Sequence, residues 1–132
     1  MKSRGFTMLE LLLGLAIMGF ALTGMLALYT NCMILNQSNR NLIVATSHAQ
    51  FVMEELKAET SLANLRTKIN AGTYTRFTDL GGENTSACCC DASNNCYSSC
   101  PTQDPQKVCV TDSWNERGTR PMSVSLQTLF TY

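Results

Sequence analysis

The sequence predicts an α+β protein with one long N-terminal helix as its spine, the first half of which spans a membrane. A small C-terminal antiparallel β head, stapled by disulfides, follows it. Three observations carry this prediction. The chain has no charged residue from Leu11 to Asn39. From Leu35 onward apolar side chains recur at helical spacing, and the last third alternates as strands do. Six of the seven cysteines crowd between Cys88 and Cys109, where few apolar side chains are on hand to build a core.

The helix comes first. About 20 mostly apolar residues rising ~1.5 Å each cross a ~30 Å hydrocarbon layer, so Leu11 to Tyr29 and the residues after it suffice to span a bilayer. The apolar run continues through Cys32-Met33-Ile34-Leu35 without the small-residue boundary of a cleaved secretory signal. Lys2 and Arg4 precede it, and positive charge keeps that end in the cytoplasm, with everything after about Leu35 on the far side. Glu10 sits just inside the apolar boundary. A carboxylate at mid-membrane costs about 2.5–3.5 kcal/mol, so Glu10 is either a functional acid or an interfacial residue reaching back to water. Gly14, Gly19, Thr23 and Gly24 are small enough for close helix approach, although glycine is also simply commoner in membrane helices.

Beyond Asn36 the helix turns amphipathic. Leu35, Leu42, Ala45, Ala49, Val52 and Leu56 fall on one stripe, while Arg40, Gln50, Glu54 and Lys57 face elsewhere, which carries the helix to about Glu59. Thr60-Ser61 reads as an N-cap and Asn70-Ala71-Gly72 as a stop, which predicts a short helix over Leu62 to Ile69. Tyr74 to Phe77 reads as a short strand and Gly81-Gly82 as a turn. Lys107 to Thr111 and Ser123 to Leu129 alternate as strands, with Asn115 to Pro121 as the loop of a hairpin. Such a hairpin is marginal alone and must pack on the helix or pair with another strand.

Composition narrows the function. Formal charge is zero, with ten basic and ten acidic residues; without Lys2 and Arg4, eight face ten and the balance is −2. No basic patch points to nucleic acid. His48 is the only histidine, and its neighbour Ser47 points about 100° away on a helix, so the two make no dyad. Glu54-Glu55 reads as a solvated helix face, and no phosphate loop or paired-carboxylate pattern appears. The sequence therefore predicts no enzyme, no catalytic residue and no cofactor.

The cysteines lie past the membrane entry point, where disulfides substitute for burial. Cys88, Cys89 and Cys90 are expected to reach toward Cys96, Cys100 and Cys109; six cysteines allow about 15 pairings, and the sequence does not choose among them. A metal site is the competing reading. It is set aside because three consecutive cysteines do not easily face one ion, no C-x-x-C pair exists and His48 is distant. Cys32, on the helix, reads as a small packing residue.

The junction at Gly5-Phe6 with Glu10 four residues after Phe6 resembles the processing site of type IV prepilins and of type II secretion pseudopilins. The resemblance covers roughly residues 1–60 and 107–130. In its tail, Val108, Val110 and Trp114 followed by Val124, Leu126, Thr128 and Leu129 are similar to the end of PilV-type minor pilins and, more loosely, of the I-type minor pseudopilin. Residues 83–106 depart from both patterns. The resemblance implies cleavage between Gly5 and Phe6 by prepilin peptidase, N-methylation of Phe6, and a role for Glu10 in assembly. It also divides the chain into a cytoplasmic leader (1–5), a transmembrane and filament-core half-helix (6–35) and an outer head that includes the rest of the helix (36–132). The implied partners are prepilin peptidase, other major and minor pilins, the inner-membrane assembly platform and the lipid bilayer. The implied location is the bacterial inner membrane and then the pilus at the cell surface. Three functions stand side by side: a minor type IV pilin serving adhesion, motility or DNA uptake, a minor pseudopilin of type II secretion, and a membrane-anchored disulfide-rich binding module.

Overall fold

The computed structural model describes residues 7–91, 95–97, 99–102, 105–116 and 118–131. Its elements run α1 (Met8–Lys57), α2 (Leu62–Ala71), β1 (Asn84–Cys90), β2 (Cys96–Tyr97), β3 (Gln106–Glu116) and β4 (Arg120–Phe130). The four strands form one antiparallel sheet in the order β2-β1-β3-β4. This is an α+β, pilin-like arrangement: a long N-terminal apolar helix and a small antiparallel sheet beside which the cysteines cluster. The chain divides into two compact units, Met1–Ser38 and Asn39–Tyr132.

In the first unit every described residue of α1 from Met8 to Gln37 is solvent-exposed, and Phe20 is 85% exposed. The helix supplies its own backbone partners and needs no neighbour for them, which is the one condition a lone segment must meet in hydrocarbon. Its hydroxyls are satisfied in the same way. Thr23 Oγ1 donates to the carbonyls of Gly19 (3.1 Å) and Phe20 (2.9 Å), and Thr30 Oγ1 donates to that of Ala27 (2.9 Å).

In the second unit the predicted stripe buries from Ala45 onward, with Ala45, Ala49, Val52, Met53 and Leu56 the buried residues of α1, whereas Leu35 and Leu42, expected on the same stripe, are exposed. Ala49 to Leu56 join Leu65 and Ile69 of α2, Cys89 of β1, Val108 and Val110 of β3, and Phe130 of β4 in one core. α2 begins where its cap was expected. Ser61 is extended and its hydroxyl accepts the N–H of Asn64 at 3.2 Å. Gly72, at φ 61°, closes the other end with its N–H on the carbonyl of Ile69.

Four expectations need correction. Tyr74 to Phe77 is not a strand, because its polar groups are taken by other elements: the N–H of Thr75 donates to Glu55 (3.0 Å), and the Tyr74 hydroxyl accepts the N–H of Ala87 (3.0 Å). Glu55 is accordingly not a merely solvated residue, since it also binds Lys68 at 3.1 Å. The hairpin loop is shorter than Asn115 to Pro121, since Asn115 pairs with Pro121 and Glu116 with Arg120. Pro121 is tolerated because β4 is an edge strand. Finally, the cysteine-rich stretch contains a strand, β1, where sequence reading saw only a stapled loop.

Candidate functional site

Glu10 lies in the first turn of α1, where its backbone N–H bonds the carbonyl of Thr7 at 3.0 Å. Its side chain is exposed, the only charged group between Met8 and Asn39. The helix dipole favours an acid at this end, and the apolar surroundings disfavour it. Gly5 and Phe6 lie outside the described residues. Downstream runs the one helix among the described residues that is long and apolar enough to cross a membrane.

The head carries two clusters. The first follows from strand alternation. Thr85, Ala87 and Cys89 of β1 point to the α1 side, and Cys89 is disulfide-bonded to Cys100 there. Cys88 and Cys90 therefore face the other way. The register sets Cys88 opposite Cys109 and Cys90 opposite Cys96. The Sγ atoms of Cys88, Cys90, Cys96 and Cys109 all lie within 4.8 Å of one another. Cys90 and Cys96 are 2.8 Å apart and Cys88 and Cys90 are 3.9 Å apart. Burial pushes the thiol of Cys88 up and that of Cys90 up to about 12, while hydrogen bonds from Cys88 and Cys90 hold the exposed Cys96 thiol below its usual value. Cys32 is exposed on α1 and free.

The second cluster escaped sequence reading. His48 Nδ1 meets Glu83 Oε1 at 2.6 Å, its Nε2 lies 3.4 Å from Asp79, and its ring stacks on Phe77 with centroids 3.9 Å apart. Glu83 also accepts the N–H of Leu80 at 2.8 Å and faces the fully buried Asp112, which Thr85 Oγ1 contacts at 3.1 Å. Burial works to raise Glu83, but the Leu80 N–H, His48 and Asp112 outweigh it and hold the carboxyl below its usual range. Burial, aided by the neighbouring Glu83, pushes Asp112 up to about 6. No local pattern could have revealed this, since His48 and Glu83 lie 35 positions apart. The arrangement is a polar lock between α1 and the sheet, with the exposed Asp79 at its outer edge.

No curated protein and no solved structure matches the chain. Over residues 1–26 it matches the family model described as the prokaryotic N-terminal methylation motif, and it thus bears the type IV prepilin-like signal of pilin-like and pseudopilin proteins.

Proposed function

We propose that this protein is a minor type IV pilin, a structural subunit anchored in the inner membrane by α1 and then drawn into a filament. Prepilin peptidase cuts between Gly5 and Phe6 and methylates the new amine of Phe6. The leader stays in the cytoplasm, residues 6–35 form the membrane and filament-core half-helix, and residues 36–132 form the outer head. Proteins with this signal are structural rather than enzymatic.

The observation that supports this reading is the motif match over residues 1–26 leading into a fully exposed apolar helix with a single carboxylate in its first turn. Packing in the filament core covers the apolar surface that the chain alone leaves open. The buried amine of Phe6 needs a counter-charge, and Glu10 of a neighbouring subunit supplies it; two groups that are each costly alone become tolerable as a pair. The assembly partners are other pilins and the inner-membrane platform. The cysteine-rich head, built to survive outside the envelope, favours a surface pilus over a periplasmic pseudopilus.

Intact-mass analysis of protein from the envelope tests the processing step. The expected mass is that of a chain starting at Phe6 with one added methyl group. A chain retaining Met1, or cut beyond the apolar helix, would overturn the proposal.

A further inference from the structure

We infer that Cys88, Cys90, Cys96 and Cys109 form a single four-thiolate site for a soft divalent cation, zinc foremost. The sequence argued against a metal because three consecutive cysteines do not face one ion. On a strand they need not: alternation turns Cys89 into the core and leaves Cys88 and Cys90 side by side on the opposite face. Cys109 reaches that face from β3 and Cys96 from β2, each directly across from one of them. No single strand could supply all four, and the three-strand register brings them together.

The sulfurs converge as a group. Each of the four Sγ atoms lies within 4.8 Å of the other three, whereas two separate cross-strand disulfides need only one close neighbour for each sulfur. Zinc–sulfur bonds of about 2.3 Å in a tetrahedron place the sulfurs ~3.8 Å apart. The Cys88–Cys90 distance of 3.9 Å already has that value, and all other pairs fall within 4.8 Å. The Cys90–Cys96 pair, at 2.8 Å, must open by about 1 Å; Cys96 is exposed and belongs to the two-residue strand β2, so it is the member best able to move. Thiolate donors select zinc and similarly soft ions over calcium or magnesium. Binding removes one proton from each thiol and leaves the site with a charge of −2. Lys107 stands opposite Cys90 in the register and on the same face of β3 as Cys109. Cys89 and Cys100 take no part, being bonded to each other on the other side of the sheet.

The test uses the full chain, expressed into membranes and extracted in detergent without reductant. Metal analysis should find one zinc per chain. Alkylation of the folded protein in the presence of zinc should modify Cys32 alone, while added chelator should release these four further thiols. Cobalt(II) in place of zinc should give the sulfur-to-metal charge-transfer and tetrahedral visible bands of a four-thiolate site. Cys88→Ser should abolish stoichiometric binding, and the double variant Cys89→Ser with Cys100→Ser should retain it. Should a reductant rather than a chelator free the four thiols, with Cys90–Cys96 and Cys88–Cys109 peptides recovered, the site is a pair of disulfides and the inference fails. It fails equally if the four thiols react without either treatment and cobalt gives no such bands.

Discussion

Single residues decide the chemistry at both ends of the molecule. Glu10 is the clearest case, because replacing it with leucine makes the membrane helix more apolar and leaves insertion unchanged or improved. Glu10→Leu should still be cut and inserted but should fail to enter filaments, since the amine of a neighbour's Phe6 loses its counter-charge. Comparing sheared surface filaments with the membrane fraction checks this, and equal incorporation of the two forms would remove Glu10 from assembly. In the head, Asp112 and Glu83 shift in opposite directions. Asp112 is raised from 3.8 to about 6, so the stability it contributes is complete below about pH 4 and is lost as pH rises through about 6. Glu83 is lowered from 4.5, so its contribution is present above that value and lost on acidification. Asp112→Asn keeps an acceptor for Thr85, removes the first dependence and alters the second, because Asp112 helps to hold Glu83 down. Denaturant titrations at pH 4.5 and 7.5 should therefore show the variant gaining stability relative to wild type at the higher pH. Parallel pH profiles for the two proteins would mean that Asp112 does not titrate in this range.

At the scale of elements, the packing of α1 and α2 on the sheet depends on a few fully buried side chains. Leu56 and Leu65 are 0% exposed, and Leu56→Ala should cost about 2–5 kcal/mol, read as a lower denaturation midpoint with an unchanged slope. The Cys89–Cys100 bond ties the end of β1 to the segment before β3 and closes a short loop, with a sequence separation of 11. A loop of this size is worth roughly 3 kcal/mol. Reduction should loosen this region and lower the unfolding midpoint while leaving helical circular dichroism nearly intact, because α1 depends on backbone bonds and apolar packing rather than crosslinks. Loss of the helical signal on reduction would contradict that division.

At the scale of the whole molecule, the two units draw on different solvents. Among the described residues every buried one lies in the second unit, from Ala45 onward. A chain starting at Asn39 should therefore be soluble and melt cooperatively, with the strand signal of the full protein. A fragment that aggregates or melts without a transition would show that the head needs the rest of the helix.

The apolar run after Glu10, the stripe from Ala45 to Leu56, the Ser61 cap and the β3–β4 hairpin were all legible in the sequence, because each rests on local periodicity or on a cap that neighbouring residues complete. The methylation-motif signal over residues 1–26 was legible for the same reason, as a local pattern of residues. The strand character of Asn84 to Cys90 was not, since a run of small polar residues and cysteines has no alternation of apolar and polar until a partner strand defines its faces. The division of Cys88, Cys89 and Cys90 between two sides of a sheet, and the meeting of His48 with Glu83 and Asp112, belong to tertiary structure alone: register and long-range packing bring these groups together, and no spacing along the chain encodes either.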